Sequence, residues 1–490
     1  MLLNIYLENI KDLFIYNKDN PMLFNSGAFL LLFTLFISIY AAVYKSKQAR
    51  TWYLFAFSIF FYYKASGFYF LILLLSVFAD YWIALILMKI ENKRYRLAFL
   101  IFSLCLNLGL LFYFKYTNFL VENFANLTNG KFKAIDIFLP IGISFYTFQT
   151  ISYVVDVYRK VIPPTKSFID YAFYMTFFPH LVAGPIVRAR DFLPQINKKI
   201  QISKVDIGIG LFLIIKGLIK KAVIADYLAQ YNDIIYGMPS SYSGFENLMA
   251  LYGYTIQIYC DFSGYSDMAI GLARLMGFRL CDNFNSPYIS SNITEFWRRW
   301  HMSLSSWLRD YLYISMGGNR HGKFRQNINL FLTMLIGGLW HGASWKFVVW
   351  GGLHGIGLIV HKLYLKLKLP FADAKWAKIL GIFITFHFVA ILWVFFRADS
   401  YGSAIDSLRQ IFCNMDLAFV APFAKVRGLF LVILAIGIIT HFIPLKYKEF
   451  ALEKFTNLHF AFKFIIILVV IQLVLQLQSE NVTPFIYFQF

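Results

Sequence analysis

Read as a pattern of apolar and polar positions, the chain alternates long apolar runs with short basic loops over most of its length. A helix needs about 20 residues to cross the hydrocarbon core of a bilayer, and runs near that length recur from residue 22 to residue 477. The first covers 22–44 and is followed by KSKQAR (45–50). Because Lys and Arg accumulate on the cytoplasmic side, that loop is predicted to be cytoplasmic and the N-terminus extracytoplasmic. Runs 52–63 and 68–88 predict a tight helical pair returning to KIENKRYR (89–96). Next come an outward span over 97–120 and an inward one over 137–157, which delivers RKVIPPTK (159–166) to the inside. The opening MLLNIYLENIKDLFIY lacks the basic region and cleavage site of a signal peptide and reads as a short amphipathic helix in the interface.

The run 168–187 has basic segments on both sides and carries Pro179, His180, Gly184 and Pro185 in its interior. Proline breaks helices, and irregular backbone at membrane depth survives only inside protein or beside water, so this run predicts a re-entrant element. An outward span over 207–227 carries Lys216, Lys220 and Lys221, and 245–273 returns. The longest polar stretch, 274–325, holds Arg298, Arg299, Arg309, Arg320, Lys323 and Arg325 and is predicted to be cytoplasmic. Within it FWRRWHMSLSSWLRDYLYISMGGNR (296–320) interleaves Trp297, Trp300 and Trp307 with arginines, the pattern of a helix lying at the interface.

From 326 to 340 the chain has only 15 residues before His341-Gly342, about 22 Å of helix against a core of about 30 Å. It then stays apolar until His361-Lys362, so both ends are basic and the number of passes is even. A helical hairpin is predicted, with His341 near its tip and deep in the membrane. The run 379–396 goes out, 428–444 comes in to KYKEFALEK, and 460–477 goes out, leaving SENVTPFIYFQF (479–490) outside. The expectation is a single all-α polytopic membrane domain over 1–490 with roughly 10 to 12 crossings plus re-entrant and interfacial helices.

Composition agrees: 59% hydrophobic, 20% aromatic and only 15% charged residues, where a soluble domain has about 45–50% apolar and about 25% charged. No soluble domain of any size is expected. The net charge of +20 sits mainly in short loops, which the cytoplasmic bias explains without nucleic acid, for which no module is present. The same charge would attract a phosphate-bearing substrate. The four cysteines (Cys105, Cys260, Cys281, Cys413) have no metal-like spacing, and neither a disulfide framework nor a metal site is expected.

Ionisable side chains at membrane depth face a bundle interior or a cavity. His354, His361 and His387 read as hydrogen-bonded structural histidines. His341 differs: Gly337, Gly338 and Gly342 let backbone approach closely, Trp340 and Trp345 offer apolar walls, and a neutral imidazole there suits a general base. His301 lies in the polar stretch near Asp310, as a residue that orients a substrate or caps the interface. Asp80, Asp261 and Asp267 interrupt apolar runs and read as helix-pairing hydrogen-bond partners. No G-x-S-x-G elbow, P-loop or H-E-x-x-H is present, which leaves hydrolase and ATPase chemistry without support.

The stretches 296–320 and GGLWHGASWKFVVWGGLHG (337–355), with DFSGYSDMAIGLARLMG, NFNSPYIS and the terminal PFIYFQF, resemble the membrane-bound O-acyltransferase family, in its alginate and peptidoglycan O-acetyltransferase branch. The resemblance implies a funnel-shaped helical protein passing an acyl group from a cytoplasmic thioester to an acceptor across the membrane, with acetyl-CoA as donor substrate and no bound cofactor. It implies His341 of the WHG motif as the essential histidine and His301 of the RWH motif as the second. Arg298, Arg299, Arg309 and Arg320 would form an electrostatic funnel for the donor's phosphates, with Trp340 and Trp345 lining the site. It further implies an extracytoplasmic SGNH-type partner and places Tyr487 of the tail as acyl acceptor, or as part of an aromatic plug. The expected setting is a bacterial inner membrane with both termini outside. The expected acceptor is an envelope polysaccharide, peptidoglycan ahead of alginate-like exopolysaccharide because the Lys-, Phe- and Ile-rich composition points to an AT-rich genome. Two other classes compete: a transporter relaying protons or ions through Asp80, Asp261 or Asp267, for which inverted repeats would speak and none is visible, and a scaffold anchoring an outer enzyme.

Overall fold

The computed structural model describes residues 13–17, 21–182, 184–368, 370 and 374–477. The opening residues 1–12 and the tail 479–490 with Tyr487 lie outside them. Among the described residues the chain is helical and contains no strand. Its contacts gather into two units, Met1–Leu211 with Met268–Cys281, and Phe212–Asp267 with Asp282–Phe490.

In the first unit, α1 (Gly27–Val43), α2 (Lys47–Ser66), α3 (Phe70–Lys89), α4 (Lys93–Leu127) and α5 (Ile143–Tyr158) follow the predicted apolar runs. Their starts are set by polar caps: Ser26, Ser46 and Asn92 each accept a backbone N–H of the first turn. The pair α2 and α3 is divided at Gly67, whose φ of +61° suits glycine. Asp80 of α3 is fully buried and accepts hydrogen bonds from Ser103 (2.5 Å) and Asn107 (2.7 Å) of α4, and Thr150 of α5 donates to Asn107 (3.0 Å). This chain of polar contacts pairs three helices, as read for Asp80. The expected break in 168–187 is also present. Helix α6 (Phe168–Thr176) stops at Phe177, α7 (Phe178–Leu181) is one turn long, and the described backbone from 184 to 188 is irregular and buried. Phe178 holds the broken element in place among the rings of Phe24, Phe36, Phe57 and Phe61. The short α8 (Ala189–Asn197) follows.

Helix α9 (Lys204–Leu218) continues without interruption through a π-helical turn, Ile219–Ala225, into α10 (Asp226–Gly237). The helical path is therefore longer than the apolar run at 207–227. Helix α11 (Gly244–Leu275) is a second long element, and both carry ionisable residues that pair inside the second unit. Lys216 and Lys220 contact Asp267, and Lys221 contacts Asp261 and Asp226. Among the described residues five helical stretches are long and apolar enough to cross a membrane, or six if the bent pair at 417–442 is one span. The 10 to 12 crossings counted from the sequence also include shorter or more polar helices such as α1 and α11.

The stretch 296–320 is not one helix, and its tryptophans face the protein interior. It divides into α12 (Ile293–Arg299), α13 (Met302–Trp307) and a π-helical turn Leu308–Tyr313, and Trp297, Trp300 and Trp307 are all buried. Trp300 packs 4.9 Å from Trp393 and 5.0 Å from Phe284, ring centre to ring centre. The tryptophans alternate with arginines because the short helices bury one face and expose the other, which a membrane surface also selects.

The hairpin is present. Helix α14 (Gly322–His341) and α15 (Trp345–Tyr364) are joined by three residues. A Cβ built on Gly338 would fall 2.3 Å from the Phe347 carbonyl oxygen, and one on Gly351 2.4 Å from that of Met334, so the glycines set the spacing of the two helices. Helix α16 (Lys375–Arg397), α19 (Gly428–Phe442) and α21 (Phe460–Leu477) match predicted runs, while α17 (Tyr401–Cys413), α18 (Val420–Val426) and α20 (Leu445–Asn457) were not anticipated. Those three are short or amphipathic, so hydropathy alone does not mark them.

Candidate active site around His341 and His301

His341 is the last residue of α14 and only 3% exposed. Its ring is surrounded by Trp340 (5.0 Å), Trp350 (5.0 Å) and Phe396 (5.2 Å), contributed by both arms of the hairpin and by α16. It therefore lies in the protein interior and not on the lipid surface. Gly342 leaves the helix with extended backbone, and a Cβ there would overlap the Phe347 ring at 2.0 Å. The glycine next to the histidine is thus required by the packing of α15 against the hairpin tip.

His301 is fully buried and is the hinge between α12 and α13, with φ +42° and ψ 55°. A non-glycine residue in this left-handed region costs about 1–2 kcal/mol, so the surroundings hold it there. Asn283 is the main brace. Its Oδ1 accepts from the Ser303 backbone N–H (3.3 Å) and the Ser303 hydroxyl (2.9 Å), and lies 3.1 Å from His301 Nδ1. A backbone N–H is always a donor, so the Asn283 atom is the oxygen, and His301 Nδ1 must carry the hydrogen. The basic lone pair is then on Nε2. Burial pushes the His301 imidazole down to about 3, so the ring is neutral near neutral pH.

The two histidines come from motifs 40 residues apart, and the Trp340 ring lies near both, 6.3 Å from His301 and 5.0 Å from His341. Phe262 closes the far side of His301 at 4.6 Å, edge to face. Of the two expected tryptophan walls, Trp340 is buried, but Trp345 is 57% exposed at the start of α15 and faces mainly outward. Trp350, five residues further along α15 and so about 140° around the helix axis, takes the inner position. The helical period from the turn decides this, and the turn geometry is not readable from the sequence.

Among the four expected arginines, Arg298, Arg309 and Arg320 are exposed. Arg299 is half-buried, bonded to Glu295 (2.9 Å) and to the Asn285 carbonyl (3.2 Å), and so helps fix the loop that carries Asn283. Burial pushes the Glu295 carboxyl up, but the Ser291 N–H and hydroxyl and the Arg299 guanidinium outweigh it and hold the group below the usual range.

The other histidines divide. His361 contacts Thr294 (2.8 Å) and His387 contacts Tyr252 (3.0 Å), as structural histidines do. His354 is not hydrogen-bonded: it is fully buried between Trp297 (5.0 Å) and Trp350 (4.6 Å), and neither ring nitrogen has a hydrogen-bond partner among the described residues. The residues that sequence reasoning missed are Asn283, Trp350 and Phe396. Asn283 was within reach, since it lies in the quoted NFNSPYIS stretch.

The architecture is that of a polytopic, all-helical membrane protein in which His301 and His341 are both buried near Trp340. Residues 159–400 match the membrane-bound O-acyltransferase family. The chain is 44% identical over 389 residues to the probable alginate O-acetylase AlgI of Pseudomonas aeruginosa, covering 77% of this chain and 72% of that protein. It is 38% identical over 500 residues to the probable alginate O-acetylase AlgI of Pseudomonas putida (96% and 100% covered), and 38% over 418 residues to the peptidoglycan O-acetyltransferase of Helicobacter pylori (79% of each). The chain belongs to the membrane-bound O-acyltransferase family and is an acyltransferase.

Proposed function

We propose that the protein takes an acetyl group from acetyl-CoA on the cytoplasmic side of a bacterial inner membrane and delivers it outward for O-acetylation of an envelope polysaccharide. Peptidoglycan is favoured over an alginate-like polymer on the composition of the chain; relatives named for each substrate are similar to it. The observation that carries the reading is that His341 and His301, both buried, pack near the same Trp340 indole.

His341 acts as general base. The acceptor oxygen attacks the thioester carbonyl as its proton passes to the imidazole, and the C–S bond then breaks with the thiolate recovering that proton. The apolar rings around His341 exclude water, which would otherwise hydrolyse the thioester. His301, held by Asn283 with Nε2 as acceptor, orients the substrate, and exposed Arg298, Arg309 and Arg320 draw in the anionic donor. Asp80, Asp261 and Asp267 are each engaged with neighbouring side chains, which speaks for structural roles and against an ion relay. The acetyl group leaves on the outer side to an SGNH-type partner, with Tyr487 as the receiving hydroxyl and both termini extracytoplasmic.

The test uses the protein in vesicles with its polymer acceptor and radiolabelled acetyl-CoA. His341→Ala is expected to abolish labelling of the polymer while insertion and partner binding persist, and Tyr487→Phe, which removes the receiving hydroxyl, to leave the acetyl group on CoA and the polymer unlabelled. Full labelling with His341→Ala would remove the assignment, and a scaffold would then be the better account.

A further inference from the structure

The second unit contains a group of lysines for which neither the hairpin nor the histidine pair has a use. Lys216 and Lys220 lie one helical turn apart at the entry to the π-helical turn of Ile219–Ala225, and both bind Asp267 of α11, each at 2.9 Å. Lys220 also donates to the Ser263 hydroxyl (3.1 Å) and stands 5.2 Å from the centre of the Tyr259 ring. Lys448 of α20 donates to the Ser286 hydroxyl (3.0 Å) and is close enough to feel the charges of Lys216 and Lys220. Two ammonium groups thus share one largely buried carboxylate, and a third, Lys448, stands within electrostatic reach of both. Asp282, which is exposed, also acts on Lys216, while the neighbouring Lys221 takes up Asp226 and Asp261.

Charge left uncompensated beside apolar helices is costly and calls for a counter-ion. The cluster is not sealed: Lys216 is 39% exposed and Lys220 19%. Lys448 belongs to KYKEFALEK, which the charge bias assigns to the cytoplasmic side.

The position relative to the histidines gives the cluster a purpose. The loop after α11 presents Asp282 toward Lys216, Asn283 to His301, and Ser286 to Lys448. Asn283 Nδ2 also reaches Ser266, the residue before Asp267. One short loop therefore carries both the brace of His301 and a ligand of the lysine cluster. Ser286, like His301, holds a left-handed backbone conformation, at φ +42°.

We propose that Lys216, Lys220 and Lys448 form a phosphate-binding site that holds the phosphate end of the acyl-thioester donor while its acyl end reaches the histidines. This rests on the thioester-dependent reading given above. Lysine serves such a site as a compact charge with three donors that follow a phosphate through several orientations. The exposed arginines attract the donor from solution, and the lysines fix its phosphate.

The experiment compares two donors, acetyl-CoA and acetyl-pantetheine, which has the same thioester arm and no phosphate. The variants are Lys448→Gln, which frees only Ser286, and Lys216→Gln, which leaves Asp267 paired with Lys220. A charge-assisted contact to phosphate is worth roughly tenfold or more. Each variant is therefore expected to lower the ratio of kcat/KM for acetyl-CoA to that for acetyl-pantetheine about tenfold, chiefly through KM. Damage to the fold lowers both donors together and leaves the ratio as it was; an unchanged ratio overturns the proposal. An anionic lipid headgroup is the other source of phosphate. If the variants act only in vesicles containing phosphatidylglycerol, and the donor ratio stays constant in phosphatidylcholine, the lysines bind lipid and the proposal falls. If the unaltered protein transfers acetyl from neither thioester, the functional reading itself has failed, which is a distinct result.

Discussion

Gly338→Ala tests whether the hairpin spacing sets the position of His341. The added methyl would start 2.3 Å from the Phe347 carbonyl oxygen and 3.0 Å from the Gly351 Cα, whereas real Cβ contacts stay beyond 3.0 Å. The carbonyl belongs to helix backbone and cannot rotate away, so α14 and α15 must part by about 0.7 Å or more, and overpacking of this kind costs about 1–3 kcal/mol. Melting of the purified protein in detergent should fall by roughly a few degrees. The functional loss should be larger, because His341 is three residues further along the same helix, and a displacement of about 1 Å at a reacting group can cost about 100-fold. Gly352→Ala is the control on the facing helix: its Cβ finds nothing nearer than Leu335 Cδ1 at 3.7 Å, and it should transfer acetyl at the ordinary rate. The assay is initial-rate acetyl transfer beside a thermal melt. If Gly338→Ala keeps both the melting point and the rate of the unaltered protein, the glycine contact does not position His341.

Asn283→Ala removes the oxygen that fixes the His301 tautomer, and acetyl transfer should fall about tenfold or more, in line with the loss of a partner that orients a functional imidazole. Since burial pushes His301 to about 3, its charge does not change between pH 5 and 8, so the acid limb of the pH profile should not move in that variant; a shifted limb would mean that His301 is the titrating base. Asp80→Ala strands the Ser103 hydroxyl in the protein interior at about 1–3 kcal/mol and takes one acceptor from the Asn107 amide, which keeps the Ser103 carbonyl, a loss that a thermal melt should register. Asp80→Asn keeps one acceptor for them and should be milder, and if Asp80→Asn abolishes acetyl transfer without lowering the melt, Asp80 has a role beyond pairing helices.

The apolar runs by themselves fixed most of α1 to α5, the hairpin, and α16, α19 and α21, because a helix in a bilayer must be long and apolar in sequence before it has any neighbours. The break at 168–187 was equally legible, since Pro179 and Pro185 cannot continue a helix whatever surrounds them. The WHG stretch singled out His341 for a local reason, glycine, tryptophan and histidine crowded into an apolar segment, whereas His301, in a polar stretch, was marked by the family resemblance of its RWH motif. What the sequence left open was decided by partners distant along the chain. The alternation of tryptophan and arginine at 296–320 fits a membrane surface and a folded core equally well, and only the packing of Trp300 on Trp393 and Phe284 shows the core. Trp350 rather than Trp345 faces His341 because the rotation of α15 follows from the turn at 342–344 and the Gly338 to Gly351 contact. Asn283 becomes the brace of His301, and Lys448 the neighbour of Lys216 and Lys220, only when the loop after α11 and the start of α20 are folded into place. Local pattern determines which segments become helices; direction, pairing and charge balance depend on contacts between residues far apart in sequence, which no local pattern contains.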